Sequence, residues 1–205
     1  MTTKEKIWHV ALELFSQKGF AGVSVRDIAK EVGVRESALY KHYANKQTIL
    51  DSIVTKMQER IHSAYVQYQV PEAVREDVAQ GYEELSEEAL GRMAWKLFEL
   101  YTKDELISKY RKLLMREQMQ NNQLSKLYSD TFLMGVLHRQ GYVFQQLVEG
   151  GLFRKEDEEI IALQFYGPIY FLFQQYDSFP EQEEAIKQML FSHVKAFGKG
   201  YQKAK

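Results

Sequence analysis

Apolar residues recur at intervals of three and four along almost the whole 205-residue chain, and proline occurs only at positions 71, 168 and 180. Such spacing stacks side chains on one face of a helix, and the period-two alternation of strands is scarce. The sequence therefore predicts an all-α protein. A first helix is expected from about residue 3 to 17, with Ile7, Ala11, Leu14 and Phe15 on its buried face and Gly19 as its stop. Two short helices follow near 25–32 and 35–42. A long helix opens after Asn45, a good N-cap, carries Ile49, Leu50, Ile53, Met57 and Ile61 on one face, and ends by Pro71. Further helices are expected near 72–80, 86–101, 104–117, 122–148, 157–177 and 182–199. Gly150-Gly151 and Ser178-Phe179-Pro180 separate the last of them, and Pro168 predicts a kink or break inside its own helix. The natural boundary lies where the long helix starts, giving domains of 1–46 and 47–205.

Charge is unevenly shared between these parts. Residues 1–50 hold 8 Lys/Arg against 5 Asp/Glu, whereas the remainder holds 19 against 23. A basic head on an acidic body suits a head that meets phosphate while the body stays clear of it. The absence of cysteine excludes disulfides, cysteine-ligated zinc and thiol catalysis, and suits a reducing compartment. The longest strongly apolar run, 166–173, is eight residues and contains Gly167 and Pro168, against the roughly 20 that a membrane span needs. The N-terminus has no secretory h-region. A cytoplasmic protein without a membrane segment is expected. No Gly-rich phosphate loop, no H-x-x-x-H metal spacing and no nucleophile motif is present, so neither cofactor nor metal is expected. The paired glutamates Glu87-Glu88 and Glu158-Glu159 would point to different faces of a helix and suit a solvated surface, which argues against an enzyme.

The most informative stretch is 24–43. Ser24 and Asp27 have the spacing of a capping box and set the start of the first short helix. Ile28, Ala29 and Val32 point inward, with Ala29 small enough for two crossing helices to approach. Gly33 can take the left-handed conformation that ends that helix. Val34 and Leu39 then anchor the next helix, leaving Arg35, Glu36, Ser37, Ala38 and Lys41 to face outward. A short helix propped at a sharp angle fits a major groove about 12 Å wide, although an ordinary αα-corner has the same local pattern.

The wider segment resembles the TetR family of transcriptional regulators. The residues that carry the likeness are Phe15, Gly19-Phe20, the run Val25-Arg26-Asp27-Ile28-Ala29, Gly33-Val34, the run Leu39-Tyr40-Lys41-His42-Tyr43, then Lys46 and Leu50. The resemblance covers about the first 50 residues. It implies an N-terminal three-helix helix-turn-helix DNA-binding domain, a larger helical ligand-binding and dimerisation domain, and a two-fold homodimer on a double-stranded DNA operator. Tyr40, His42 and Lys46 match positions that usually hold the DNA backbone, and Ser24 and Arg26 are expected to touch phosphate from the first short helix. The cap alone would also account for Ser24, a solvated lysine for Lys46 and a packing role for His42. Arg35, Ser37, Ala38 and Lys41 are the base-reading candidates. Arg35 stands where the family usually has Ser or Thr, and Ser37-Ala38 replaces another small pair, so the base preference is this chain's own.

In the body, two stripes suggest a four-helix dimer seam through the helices near 157–177 and 182–199. One is Ile161, Phe165, Ile169, Leu172 and Tyr176; the other is Ile186, Met189, Leu190, Val194 and Phe197. The same stripes could instead close the protomer's core. Trp95, Phe98, Tyr128, Phe132, Tyr166 and Tyr170, with His138 for an anionic head, are the candidates for binding a small-molecule effector, plain core being the alternative reading. A non-specific architectural DNA protein or a helical adaptor would share the all-α pattern, but the modest basic charge argues against the former.

Overall fold

The computed structural model describes residues 1–68 and 87–202. The helix expected at 72–80 and Pro71 lie outside them. The described helices are α1 (Thr3–Lys18), α2 (Val25–Val32), α3 (Glu36–Tyr40), α4 (Lys46–Gln67), α5 (Glu87–Thr102), α6 (Glu105–Glu117), α7 (Asn122–Phe132), α8 (Met134–Glu149), α9 (Glu158–Ser178) and α10 (Glu183–Tyr201). A 3₁₀ turn at Pro180–Gln182 precedes α10. The protein is all-α, as the apolar periodicity requires.

Contacts gather the chain into two compact units, Met1–Ala64 with Asp104–Tyr128, and Tyr65–Lys103 with Ser129–Lys205. The first reaches beyond residue 46 because α4 continues its buried face through Ile53, Met57 and Ile61, and because α6 packs on α1. Ile7, Leu12, Phe15, Ile28, Leu39 and Ile49 are each fully buried at its centre. Side chains of this kind contribute about 1.5–3 kcal/mol apiece when removed from water.

Asp104 fixes the start of α6. Its carboxylate accepts the N–H groups of Leu106 and Ile107 at 3.1 Å each and is gripped by the Arg60 guanidinium, with Nη2 at 2.6 Å. Burial pushes this carboxyl up, but the Arg60 and backbone hydrogen bonds outweigh it and hold the group below the ordinary aspartate value. A folded-state value depressed in this way contributes stability that is present above about pH 4 and is lost as pH falls through the lowered value. Urea unfolding between pH 7 and pH 3 should therefore show a smaller acid loss in Asp104→Asn than in the parent. Equal losses would remove Asp104 from the acid response.

In the second unit, Trp95 stacks on Phe98 with centroids 4.9 Å apart and planes 11° apart, while Val143, Phe144, Leu147, Phe153, Ile161 and Phe197 form a further core cluster. The stripes expected to form a seam are here divided. Ile161, Ile169, Leu172, Ile186, Leu190, Val194 and Phe197 are buried within the protomer. Outside the expected α9 stripe, Ile160, Leu163 and Phe171 are 44%, 50% and 62% exposed, and Met189 of the expected α10 stripe is itself 47% exposed.

One expectation about helix ends is corrected and another is narrowed. The stretch 122–148 is two helices, because Leu133 (φ −123°, ψ −98°) leaves helical geometry and its carbonyl then accepts the N–H groups of Val136 and Leu137 as α8 begins. Conversely, of the kink or break expected at Pro168 the break does not occur, since α9 continues across it. Proline withholds the N–H that the Gln164 carbonyl would receive, but both residues lie on the exposed side, where water can serve that carbonyl. The His193 ring Nε2 donates to the neighbouring Phe165 carbonyl at 2.8 Å.

Candidate nucleic-acid interface

The geometry of the head follows from two local devices. At the start of α2, the Ser24 hydroxyl accepts the Asp27 N–H at 3.1 Å while the Asp27 carboxylate accepts the Ser24 N–H at 2.8 Å, completing the capping box. The two Ser24 hydrogen bonds, side-chain first, hold the Asp27 carboxyl below its ordinary value. At the other end Gly33 adopts φ 80°, ψ 31°, and two crossed bonds close the helix, Gly33 N–H to Lys30 and Val34 N–H to Ala29. This is the Schellman pattern, which needs a residue without a Cβ penalty in the left-handed region.

The turn launches α3, a five-residue helix with one fully buried side chain, Leu39. Arg35 sits at its N-cap in extended conformation and makes no side-chain cap. An arginine has no side-chain oxygen to cap the helix, so the guanidinium is exposed and the first turn is closed by the Arg35 carbonyl, which accepts from Ala38 and Leu39. Glu36 and Ser37 are exposed and Ala38 is half-buried. Tyr40 is half exposed, and Lys41 and His42 are exposed. Ser24 and Arg26 are exposed at the start of α2. These side chains supply guanidinium, ammonium, phenol, imidazole and hydroxyl donors, which suit phosphate oxygens and the acceptor edges of bases.

Lys46 stands apart from the others. It begins α4 behind the Asn45 cap, whose side-chain oxygen accepts the Thr48 N–H at 2.9 Å. Its ammonium donates to the carbonyls of Phe20 at 2.7 Å and Val23 at 2.8 Å, and lies 4.3 Å from the Phe20 ring centroid. Burial pulls its pKa down, and the charge of Glu117 acts in the opposite direction. Two of its three protons are thus spent inside the head. The sequence placed this lysine at the helix start but could not display its carbonyl partners 23 and 26 residues upstream.

The residues expected to bind an effector fall into three groups. Trp95, Phe98, Phe132, Tyr166 and Tyr170 belong to one aromatic cluster, linked through Phe173 and Tyr101 at centroid distances of 5.2–6.4 Å, with the Tyr166 hydroxyl donating to the Phe132 carbonyl at 2.8 Å. Tyr128 is buried in the first unit instead, and His138 is exposed on α8. The neighbouring Arg139 has its guanidinium 5.8 Å from the Tyr65 ring, whose hydroxyl is hydrogen-bonded to that of Tyr101, while the ammonium groups of Lys103 and Lys187 lie 5.3 and 5.5 Å from the Trp95 ring. Among the described residues no group of three or more His, Cys, Asp or Glu could hold a metal ion, and no helix is long and apolar enough to cross a membrane.

Comparison with known proteins places the resemblance on the same residues. Residues 7–53 match the model for bacterial regulatory proteins of the tetR family. The biofilm operon icaADBC HTH-type negative transcriptional regulator IcaR of Staphylococcus epidermidis is 46% identical over 46 residues, which is 22% of this chain and 25% of that protein. Its counterpart from Staphylococcus aureus strain Newman is 41% identical over 51 residues, 25% of this chain and 27% of that protein. The likeness thus spans about a quarter of the length of these curated relatives. Among solved structures, a tetR-family transcriptional regulator from Mesorhizobium loti superposes with a TM-score of 0.66 at 20% identity, covering 98% of this chain and 97% of the other. SmeT in complex with triclosan superposes with a TM-score of 0.67 at 20% identity, covering 99% and 93%.

Proposed function

We propose that the chain, whose residues 7–53 match the model for bacterial regulatory proteins of the tetR family, is a sequence-specific, DNA-binding transcriptional regulator of that family. It acts as a cytoplasmic homodimer and represses from a palindromic operator until a small-molecule effector releases it. The observation that carries the reading is α3 itself: a helix raised on the Gly33 turn with Arg35, Ser37, Tyr40, Lys41 and His42 exposed. Arg35, Ser37, Ala38 and Lys41 read base edges; Ser24, Arg26, Tyr40 and His42 hold the phosphate backbone. Lys46 holds the fold of the head through two carbonyls and offers its remaining proton to phosphate.

The open apolar face of α9 and α10 supports dimerisation. Ile160, Leu163 and Phe171 share one side of α9, and large apolar side chains exposed together on one face suit an association site. Two copies related by a two-fold axis present two recognition helices about 34–36 Å apart, matching successive major grooves. The repressor reading draws on the negative regulators to which the head is similar. The effector reading draws on the aromatic body and on the fold shared with a protein solved with triclosan. An effector releases DNA only through differential affinity for two conformations, commonly about 1–3 kcal/mol of coupling. Glu158 and Glu159 lie exposed in the first turn of α9, where their charge complements the helix dipole; they need no acid–base role.

The test is a titration against the palindrome upstream of the protein's own gene and against random DNA at physiological salt. A preference of at least about a thousandfold is expected, and a ratio near one would point to an architectural or adaptor protein. In the same assay Lys41→Ala should leave stability within about 0.5 kcal/mol. It should also relax the preference at one operator position by about 1–3 kcal/mol. A uniform loss on all sequences would make Lys41 a phosphate contact.

A further inference from the structure

Glu117, the last residue of α6, is a carboxylate only 5% exposed, and the recognition surface as described makes no use of it. A buried carboxylate is tolerated only where donors satisfy it. Here the Phe20 N–H donates to Oε1 at 2.9 Å across 97 residues of sequence. The approach depends on the residue before. Gly19 has φ 77°, and a Cβ there would lie 2.6 Å from the same oxygen. The turn that joins α1 to α2 is thus gripped from opposite polarities: its N–H meets the Glu117 carboxylate, and its carbonyls at Phe20 and Val23 meet the Lys46 ammonium.

We propose that Glu117 is a positioning residue for DNA recognition, holding the α1–α2 turn so that α2, and through the Gly33 turn α3, is presented at a fixed angle. This rests on the DNA-binding reading of the head. The turn is well placed for the task. Phe20 packs edge-on against Phe15 of α1 with centroids 5.3 Å apart, and Val23, 1% exposed, immediately precedes the Ser24 cap of α2. Lys46 connects the same turn to the start of α4, the next helix after α3, so the grip reaches the segments on both sides of the helix-turn-helix. The helix that carries the carboxylate is anchored in its N-terminal half. Lys109 bridges Glu105 of α6 and Glu13 of α1, and Arg60 of α4 holds Asp104 at the head of α6. The α6 helix therefore acts as a strut that carries a hydrogen-bond acceptor to the back of the DNA-reading head.

The test uses the full chain with Glu117→Ala and with Glu117→Gln, which keeps an oxygen acceptor but not the charge. Amide hydrogen exchange at Phe20 and affinity for the operator are read well below the melting temperature. In Glu117→Ala, Phe20 exchange should rise by about tenfold or more, the scale of a lost charge-assisted hydrogen bond, while Leu12 and Phe15 keep their protection. Operator affinity should fall by a similar factor with an unchanged salt slope, because no phosphate contact is removed. Glu117→Gln should restore most of both, and it supplies the comparison if the alanine variant does not fold. Unchanged Phe20 exchange, or operator affinity equal to the parent, would overturn the proposal. A parent chain that does not prefer the operator over random DNA would defeat the regulator reading and the recognition role with it. The exchange result would then still report whether the grip itself exists.

Discussion

Phe171→Asp is expected to turn the protein into a monomer and to lower operator affinity by on the order of 10² to 10⁴. The side chain is 62% exposed in the protomer and lies on the same open face of α9 as Ile160 and Leu163. In the proposed two-fold pairing, residue 171 of each copy enters a water-excluded seam. A carboxylate there loses the burial of an aromatic ring and brings two like charges into a dry interface. Loss of pairing separates the two recognition helices, and each then binds its half-site without the effective concentration supplied by its twin. Protomer stability should change little, because most of the ring is exposed in the protomer. Light scattering alongside an operator titration decides the matter. A variant that remains dimeric and binds with parental affinity would place the seam elsewhere.

The second large effect is expected at Gly19, where valine should reduce stability by about 3–5 kcal/mol. The backbone there has φ 77° and ψ 163°, a region open in practice to glycine alone, and a β-branched residue is among the worst placed to enter it. The new Cβ would also displace the Glu117 carboxylate from the Phe20 N–H. These two contributions can be separated. Adding Glu117→Ala to Gly19→Val should relieve the collision but not the backbone strain, so the double variant should be less unstable than the sum of the single changes. Urea unfolding of the four proteins gives the comparison. A loss below about 1 kcal/mol for Gly19→Val would mean that the turn relaxes freely.

What could be read directly in the sequence was local. The Ser24–Asp27 box, the Gly33 turn and the Asn45 cap each act across a few residues, so residue type and spacing suffice. The grip on the α1–α2 turn was not legible, because Glu117 lies 97 residues from its donor and resembles any other glutamate near the end of an amphipathic helix. On α9 the difficulty was an excess of signal. Apolar residues occupy more than one side, and only packing decides that Ile161, Ile169 and Leu172 turn inward while Ile160, Leu163 and Phe171 remain open. At Pro168 the helix continues where a break was one of two expected outcomes, the Gln164 carbonyl left without an N–H being on the exposed side. No comparable breaker announces the change at Leu133, which lies within an apolar run. For the effector residues, composition predicted aromatic clustering but could not assign Tyr128 and His138 to different surroundings from the other five.

With one anchored side chain, Leu39, in five residues, α3 borrows nearly all its order from the scaffold beneath it. Its outward positions are consequently almost exempt from the demands of folding. Arg35, Ser37 and Lys41 can be exchanged among polar types without disturbing the layers that support them, so, on the DNA-binding role proposed above, a lineage of such proteins can acquire new target sites one contact at a time while the rest of the molecule stays still.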